Sequence, residues 1–406
     1  MKDQHKHVMF VYDALRIGGC ERVITVLAKE FLARGYRVTI FLIKKNIIEY
    51  DLPKDVEIIT FQDYPERLLL EGHGLSIWLN AKGAKLMEML PRRHPQNTEK
   101  LDAAKGLWRL YRRYCGFMKK CFLDHPDATV IAFMDNPNFA TLLAGRNCKN
   151  KVIVSERSHP GRDDIQPHFR RYRDLLYAWA DLVVFQSEGA RAYYPQQVKQ
   201  KSIVIRNPVL GTLPLPYTGQ RKKEIITFCR IDRQKNLFGL VRSFQLICEK
   251  YPDYHLAIYG KGDQEEPLAE YIRQQHLADR VFLRPHDSHV HKLVRDAAMF
   301  VSFADYEGIS NSMLEAMALG MPVVCTDCPA GGARMMIRHN INGLLVPVGN
   351  EEEMALAMEY MILHPEQARE MGMKASEIRN ECSPQRIADE WMAAIDRLYR
   401  PNGGEA

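Results

Sequence analysis

Glu307 and Glu315 stand eight positions apart in the stretch EGISNSMLEAMALGMPVV. Between them, Ser310, Asn311 and Ser312 are good N-cap residues for the helix that the following letters predict. The backbone N–H groups at the start of such a helix attract an anion, and carboxylates accept hydrogen bonds from paired hydroxyls. This arrangement predicts a phosphate-binding turn with a sugar on one side and a ribose on the other.

The same spacing also fits a structural interpretation. Glu315 follows Ser312 by three residues, so the two could form a capping box that closes the start of their own helix. The spacing does not distinguish this capping box from a ligand site, and both interpretations stay open.

A second candidate stretch is FCRIDRQKNLFGLV, in which Arg230 ends a predicted strand and Lys235 follows five residues later. Ligands of open α/β sheets bind at the carboxyl ends of strands. Two cations there, beside a helix that begins at Asn236, would suit a diphosphate. The alternative is an ordinary solvated loop.

A third candidate is the pair Gly18 and Gly19 in YDALRIGGCERV, between the first predicted strand and a helix beginning near Glu21. Glycines at this position let the backbone approach a ligand closely, and the helix start attracts anions. A tight strand-to-helix turn is the alternative. The pattern is neither the spaced glycines of dinucleotide binders nor the lysine-bearing phosphate loop.

Three histidines in RPHDSHVHKL, His286, His289 and His291, could suggest a metal. They follow a predicted strand and lead into a helix, so we favour a loop near a nucleobase with Asp287 or Ser288 as the helix cap.

The nine cysteines are an odd number without regular spacing, which is typical of free thiols in a reducing cytoplasm. Cys325 and Cys328 form a Cys-x-x-Cys pair, but no second pair completes a zinc site. We therefore predict no metal site.

The elements that position these residues are short apolar runs alternating with helix-length segments. The strand patterns are HVMFVYD, RVTIFLI, VEIITF, TVIAFM, KVIVSE and LVVFQS in the first half, and IITFCRI, YHLAIYG, RVFLRP, MFVSFA and PVVCT in the second. Continuous apolar runs are typical of parallel strands buried on both faces. The fold class is therefore α/β, with two doubly wound, Rossmann-like parallel-sheet domains.

A length of 406 residues also favours two domains. The boundary falls in NPVLGTLPLPYTGQRKKE, which is rich in Pro and Gly. We predict an N-terminal domain over 1–208 with a helical insertion at about 81–120, a C-terminal domain over 209–384, and a last helix over 385–400 that crosses back to the first domain.

The composition, 46% hydrophobic and 26% charged, is typical of a soluble globular protein. We find neither an apolar run long enough for a membrane-spanning helix nor a signal peptide. The net charge of +6 is concentrated in residues 81–120, which alone carry a net +8. Such local basicity predicts one anionic contact surface, and we expect no nucleic-acid partner.

In that segment the apolar residues from Leu107 onward recur at helical spacing. The basic residues that fall mostly off this apolar stripe are Arg109, Arg112, Arg113, Lys119 and Lys120. An ordinary surface helix packed on its domain explains the pattern. We favour instead a helix that rests on an anionic membrane surface.

These motifs occur in the order seen in one family. The chain resembles the retaining glycosyltransferases of family 4, whose two-domain fold, GT-B, has a central cleft between the domains. GGCERV resembles the family's glycine turn, RIDRQKN its Arg-x4-Lys loop, EGISNSMLE its Glu-x7-Glu motif, and NGLLVPVGN the strand that closes its nucleotide pocket.

The resemblance implies that Arg230 and Lys235 stabilise the donor diphosphate, Glu307 binds the donor sugar, Glu315 holds the ribose, and Gly19 approaches the phosphates. It also implies a metal-independent reaction without a cofactor. The charges agree with this, because two cations and a helix N-terminus can neutralise a departing diphosphate.

The chain departs from the family pattern in three places. Arg157 stands where many relatives carry a first-domain histidine near the acceptor, and His159 is a candidate substitute. Met335 stands where a glutamate is usual, and the proline often found before the first glutamate is absent. The departures leave the diphosphate motifs unchanged.

We therefore expect a retaining glycosyltransferase that uses a nucleotide sugar, UDP-hexose or UDP-N-acetylhexosamine, with GDP-mannose as an alternative. The expected acceptor is a glycan or lipid-linked glycan in surface polysaccharide biosynthesis, such as lipopolysaccharide or capsule. The expected location is the cytoplasm, peripheral on the inner face of the cell membrane. Alternative functions are a nucleotide-sugar epimerase on the same fold and a catalytically silent nucleotide-sugar-binding module.

Overall fold

A computed structural model of the chain contains two compact units. Its described residues are 6–44, 47–60, 63, 114–161 and 167–400. Unit 1 comprises Met1–Phe185, Arg191–Ile205 and Ala388–Ala406, and unit 2 comprises Gln186–Ala190 and Arg206–Ile387.

The described strands of unit 1 form one parallel sheet. These strands are β1 (His7–Tyr12), β2 (Arg37–Leu42), β3 (Glu57–Thr60), β4 (Thr129–Phe133), β5 (Val152–Ser155), β6 (Leu182–Phe185) and β7 (Ser202–Val204). Their order across the sheet is β3-β2-β1-β4-β5-β6-β7. The strand order reverses between β1 and β4, which is the switch point of a doubly wound sheet.

Unit 2 has a second parallel sheet with the same kind of reversal. Its strands are β8 (Lys222–Phe228), β9 (His255–Tyr259), β10 (Val281–Arg284), β11 (Ala297–Ser302), β12 (Val323–Thr326) and β13 (Leu344–Val346). Their order is β10-β9-β8-β11-β12-β13, so the reversal lies between β8 and β11.

Helices connect the strands in both units. Those up to the end of β7 are α1 (Gly19–Ala33), α2 (Gly116–Asp124), α3 (Asp135–Gly145), α4 (Pro167–Tyr177), α5 (Glu188–Ala192) and α6 (Gln196–Lys199). Those after β8 are α7 (Leu237–Cys248), α8 (Glu265–Gln274), α9 (Val290–Val294), α10 (Asn311–Ala318), α11 (Gly332–Met336), α12 (Glu351–Leu363), α13 (Pro365–Ala375), α14 (Ile378–Glu381) and α15 (Pro384–Tyr399). Within the described residues, no helix is long and apolar enough to cross a membrane.

The continuous apolar runs have a direct structural cause. Neighbouring residues Ile225 and Ile226 of β8 are both fully buried but belong to different hydrophobic clusters. Since successive side chains of a strand point to opposite faces, both faces of this sheet are covered. Burial on both faces is why these strands do not alternate between apolar and polar residues.

The predicted fold class is confirmed, and every strand pattern named above overlaps a strand of the structure. The three-residue strand β7 was not predicted, because a run of that length carries no periodicity. Of the predicted insertion at 81–120, only residues 114–120 lie within the described part of the chain. There, Tyr114 and Met118 are buried in the core of unit 1, and Lys120 is paired with Asp124.

Helix α15 begins in unit 2, and its residues from Ala388 onward belong to unit 1. Trp391, on this helix, is fully buried, with its ring centroid 5.8 Å from that of Phe133 at the end of β4. The guanidinium of Arg157 lies 5.5 Å from the centroid of the Trp391 ring and 5.2 Å from that of Phe133. Helix α15 thus supplies the core of unit 1 with a large aromatic side chain.

We predict that Trp391→Ala lowers the free energy of unfolding of unit 1 by about 3–5 kcal/mol, the usual cost of deleting a buried tryptophan. The matched control is Trp179→Ala, because Trp179 is 45% exposed. Its loss, mainly of a contact with Arg146, should cost about 1 kcal/mol or less. Urea denaturation followed by far-UV circular dichroism compares the two, and equal losses would contradict the packing role of Trp391.

Candidate functional site

The candidate site of unit 2 lies at the switch point of its sheet. β8 and β11 are parallel neighbours, with Ile226 opposite Phe300. The loop after β8 carries Arg230 and Lys235, and the loop after β11 carries Glu307. Because the carboxyl ends of adjacent parallel strands meet at one sheet edge, the two loops meet where doubly wound sheets bind ligands.

Lys235 and Glu307 form an ion pair between these loops, with the Lys235 Nζ donating to the Glu307 Oε2. The two side chains are only 12% and 20% exposed. Burial lowers the pKa of Lys235, but the Glu307 carboxylate and the nearby Cys229 thiol raise it by more, so the pKa lies above that of an ordinary lysine. Lys235 therefore keeps a positive charge at this sheet edge throughout the physiological pH range.

Arg230 is also at this edge but has a different environment. Its side chain is 66% exposed, and its Nη2 lies 3.0 Å from the Asp232 Oδ2. The same nitrogen donates to the Gln234 Oε1 at 3.2 Å. Arg230 is thus an exposed cation at the same sheet edge as Lys235, where an anion can reach it, but burial does not fix its direction.

Other side chains join the same two loops. The Gln234 Nε2 donates to the Tyr306 carbonyl oxygen at 2.9 Å, and the Asn236 Nδ2 donates to the Asp305 Oδ1 at 2.7 Å. As predicted, Asn236 caps helix α7, and its Oδ1 accepts from the Gly239 N–H at 3.2 Å. The sequence analysis did not identify Gln234 or Asp305. Their positions inside or beside the two motifs were the available signal, but motif spacing does not indicate which side chains meet.

Ser310 is the N-cap of helix α10, and its hydroxyl accepts from the Met313 N–H at 3.4 Å. Ser312 therefore lies inside the helix, 3.0 Å from the Ser310 hydroxyl, and the alternative capping box between Ser312 and Glu315 does not fit the structure. The Asn311 Oδ1 accepts from the Asn207 Nδ2 at 2.7 Å. Asn207 also donates to the Ile309 carbonyl oxygen at 3.2 Å, which steadies the turn before the helix.

Glu315 is almost fully buried on helix α10 and lies beside His291 of helix α9. The Glu315 Oε2 is 2.8 Å from the His291 Nε2, and the side chains are 3% and 9% exposed. The His291 ring also packs edge-on against Phe228 at the end of β8, with centroids 5.6 Å apart. His291 thus fixes the direction of the carboxylate, a role that its place in a run of three histidines did not indicate.

The other histidines of that run correct one prediction. The N-cap of helix α9 is His289, not Asp287 or Ser288. Asp287 instead accepts from the His289 N–H at 2.6 Å through its Oδ1, so it closes the turn before the helix.

A small cavity lies behind the Glu307 turn. It is lined by Glu307, Ser310, Cys325 and Cys328, together with smaller neutral residues. Burial raises the pKa of both thiols, that of Cys328 to about 12, so both stay protonated at neutral pH. The cavity wall beside Glu307 therefore carries two neutral, polarizable thiols.

Gly332, at the start of helix α11, packs directly on the backbone of the Glu307 turn. A Cβ atom on Gly332 would lie 1.8 Å from the Gly308 carbonyl oxygen, closer than real atoms approach. The glycine pair in CPAGGARMM therefore lets the loop after β12 support the turn from behind.

In unit 1, Gly18 is the N-cap of helix α1, and Gly19 is the first helical residue, exposed at the carboxyl end of β1. The Tyr50 hydroxyl accepts from the Gly18 N–H at 3.0 Å and donates to the Gly18 carbonyl oxygen at 2.8 Å. A Cβ atom on Gly18 would lie 2.3 Å from the Glu21 Oε2. The turn is thus closely packed, and Gly19 is exposed at its helix side.

Arg157 and His159 follow β5 at the same edge of the unit 1 sheet, and each is only 6% exposed. The Arg157 Nη1 donates to the Ile205 carbonyl oxygen at 3.2 Å, and burial lowers the pKa of Arg157 to about 10. The His159 ring packs edge-on against Tyr193, with centroids 4.9 Å apart. Arg157 therefore helps to hold unit 1 together, and an acceptor contact by either residue stays a prediction.

Two parallel-sheet Rossmann-like units, each with a switch point, are the architecture of the GT-B fold. Residues 218–378 match the family model described as Glycosyl transferases group 1. This part of the chain, which contains the whole candidate site of unit 2 described here except Asn207, is therefore a group 1 glycosyltransferase domain.

Among known proteins, the chain is 28% identical over 225 residues to an uncharacterized glycosyltransferase of Haemophilus influenzae, a match covering 54% of this chain and 63% of that protein. It is 27% identical over 247 residues to the Campylobacter jejuni N-acetylgalactosamine-N,N'-diacetylbacillosaminyl-diphospho-undecaprenol 4-alpha-N-acetylgalactosaminyltransferase, covering 58% of this chain and 67% of that enzyme. The matches thus span about two thirds of each relative's length.

Among solved structures, a TarM variant of Staphylococcus aureus in complex with fondaparinux, alpha-GlcNAc-glycerol and UDP is similar to this chain. The TM-score is 0.74 with 16% sequence identity, and the likeness covers 96% of this chain and 99% of that one. At 16% identity, this likeness shows that the two chains share a fold.

We predict that His291→Ala lowers the free energy of unfolding of unit 2 by about 1–3 kcal/mol, because the buried Glu315 carboxylate loses a hydrogen-bond donor. The matched control is His289→Ala. The His289 side chain is 73% exposed, so this substitution should lower the free energy of unfolding by about 0.5 kcal/mol or less. Urea denaturation followed by far-UV circular dichroism measures both. If the two variants unfold alike, His291 does not hold the carboxylate.

Proposed function

We propose that this protein is a retaining glycosyltransferase that moves a sugar from UDP-N-acetylhexosamine or UDP-hexose to a glycan or lipid-linked glycan of a surface polysaccharide. The observation that carries the proposal is the partly buried Lys235–Glu307 ion pair at the switch point of a group 1 glycosyltransferase domain. The C. jejuni relative, named for transfer to a diphospho-undecaprenol-linked sugar, supports a lipid-linked acceptor. The TarM complex with UDP supports a uridine nucleotide.

In the proposed reaction, the bond between the sugar's anomeric carbon and the diphosphate oxygen breaks, and an acceptor hydroxyl forms the new glycosidic bond. The nucleoside diphosphate leaves with the bonding electrons, and the hydroxyl proton is released. Lys235 and Arg230 stabilise the charge that develops on the diphosphate, since preorganised cations act most strongly on a charge that appears in the transition state. We therefore propose that the reaction needs no metal or other cofactor.

The carboxylates and glycines have separate proposed roles. Glu307 contacts the donor sugar. It is paired with Lys235, which we propose for the diphosphate, so it lies next to the position where the sugar joins the diphosphate. Glu315, directed by His291, accepts from the ribose hydroxyls. The backbone of Gly18 and Gly19, with the helix start behind it, approaches the phosphates, and the Ser310, Asn311 and Ser312 turn binds them by its N–H groups.

On the acceptor side, we propose that Arg157 or His159 borders the acceptor. We also propose that the protein works peripherally on the inner face of the cell membrane. The support for membrane contact is the net +8 of residues 81–120, since each cation near an anionic surface contributes about 1 kcal/mol.

An assay of the purified full chain tests the proposal. UDP-N-acetylglucosamine, UDP-N-acetylgalactosamine, UDP-glucose, UDP-galactose and GDP-mannose are supplied in turn, with a polyprenyl-diphosphate-linked sugar in anionic or neutral vesicles. We expect UDP release that requires the acceptor, is faster on anionic vesicles, and is unchanged by EDTA. The product's anomeric configuration, read by NMR, should match that of the donor.

Other outcomes contradict specific parts of the proposal. Interconversion of donors without nucleotide release would indicate the epimerase, and binding without turnover would indicate a silent module. Loss of activity in EDTA that magnesium restores would overturn the metal-free mechanism. Equal rates on anionic and neutral vesicles would exclude the proposed contact with an anionic membrane surface.

We predict that Lys235→Ala lowers kcat by about a hundredfold or more, the usual effect of removing one preorganised charge contact from a transition state. Arg230→Ala should have a smaller effect, because its exposed side chain is less preorganised. The control is Lys374→Ala, an exposed lysine on helix α13 of the same unit, which should keep wild-type kcat. Steady-state UDP release measures all three. An unchanged kcat in Lys235→Ala would exclude the proposed role.

A further inference from the structure

A cluster of metal-binding side chains lies at the edge of the unit 1 sheet opposite the glycine turn. His7 begins β1, Glu57 begins β3, and His125 directly follows helix α2. One ligand atom from each, an imidazole nitrogen or a carboxylate oxygen, lies within 4.8 Å of the other two. The three residues are far apart in sequence, and the sheet brings them together.

We propose that His7, Glu57 and His125 form a binding site for a zinc ion. Two imidazoles and one carboxylate, with a water molecule in the fourth position, are a donor set that zinc accepts in tetrahedral geometry. The site is independent of the proposed sugar transfer, because the glycine turn that faces the donor lies at the other end of the same strands.

The surroundings of His7 support a ligand role. Its Nδ1 lies 3.1 Å from the Asp127 Oδ2, and the side chain is buried. Metal-ligating histidines characteristically donate their second ring N–H to a carboxylate, which fixes the tautomer and turns the other nitrogen toward the metal. In this tautomer the His7 Nε2 keeps its lone pair on the side where the Thr39 hydroxyl lies, at 2.9 Å.

Thr39 links His7 to the carboxylate of the cluster. The Thr39 hydroxyl donates to the Glu57 Oε2 at 2.9 Å, and the Thr39 Oγ1 also lies 2.9 Å from the His7 Nε2. One hydroxyl proton thus lies between two acceptors. A cation that binds both His7 and Glu57 would take the place of this hydroxyl between them, so the Thr39 hydroxyl must turn aside when the cation binds.

The fit requires a modest contraction. Zinc–ligand bonds of 2.0–2.2 Å place tetrahedral ligand atoms about 3.4 Å apart, somewhat closer than the present limit. His7 is anchored, so Glu57, which is 39% exposed, and His125, which is half-buried, must move toward it. The main competitor for Glu57 is Arg37, whose Nη2 donates to the same carboxylate oxygen at 2.9 Å.

The charge balance also favours a cation. With neutral histidines, Glu57 and Asp127 contribute two negative charges, and Arg37 offsets one of them. Zinc would also connect β1, β3 and the end of helix α2, so its binding should stabilise unit 1 by mass action.

Equilibrium dialysis of the full, tag-free chain against Zn²⁺, with metal analysis by mass spectrometry, tests the proposal. We expect one tightly bound zinc per chain. His125→Ala and Glu57→Gln should each weaken binding at least tenfold, and Asp127→Asn should weaken it about 10–100-fold, the usual effect of removing an outer-shell partner. Arg37→Gln should tighten binding, because it removes a competing cation. The control His289→Ala should bind like the wild type.

Two further measurements separate this site from zinc held by cysteine thiols. Co²⁺ bound here should give tetrahedral visible bands without sulfur-to-cobalt charge-transfer absorption. Trp179 and Trp391 belong to unit 1, so tryptophan fluorescence reports its unfolding and shows whether each variant folds. Zinc should raise the unfolding temperature of the wild type but not of His125→Ala.

The proposal is overturned if the wild type binds no zinc, or if His125→Ala, Glu57→Gln and Asp127→Asn bind it as tightly as the wild type. Sulfur-to-cobalt absorption in the wild type would assign the metal to cysteines and also overturn it.

Discussion

The ion pair between Lys235 and Glu307 is the interaction on which the candidate site depends. It joins the loops that follow β8 and β11, the two strands between which the order of the unit 2 sheet reverses. The hydrogen bonds from Gln234 and Asn236 hold the same two loops. The pair therefore sets the separation of the groups that we propose for the diphosphate and the sugar.

A partly buried ion pair of this kind is weak evidence for stability, because removing two charges from water offsets much of their attraction. Its value here is electrostatic preorganisation. Glu307 keeps the pKa of Lys235 high despite burial, so in the proposed reaction the cation is already in position before the leaving group becomes charged. Arg230 differs from Lys235, because its side chain is exposed and would lose conformational freedom when it binds a ligand. The two cations of one motif thus differ in preorganisation: the fold already positions Lys235, whereas Arg230 must be positioned by the ligand.

Buried polar groups also organise unit 1, but there they serve packing. The Arg157 guanidinium lies over the rings of Phe133 and Trp391, and its pKa of about 10 still leaves it charged at neutral pH. A motif residue can thus contribute to the packing of the unit in which it lies, in addition to any contact that it makes with a ligand. In the same way, Gly332 supports the Glu307 turn only by having no side chain.

The sequence by itself determined the fold class, because strands buried on both faces are continuous apolar runs and their alternation with helices leaves one architecture. It also brought Arg230, Lys235 and Glu307 to one sheet edge, since carboxyl ends of parallel strands must coincide. It could not choose between a capping box and a ligand-facing Glu315. The tertiary structure excluded the capping box, by starting the helix at Asn311 and placing His291 from another helix beside the carboxylate, and the ligand role of Glu315 stays a prediction. Nor could it bring His7, Glu57 and His125 together, because spacing along a chain does not encode which strands become neighbours. Side-chain partners from distant segments depend on packing, and local propensity carries no information about them.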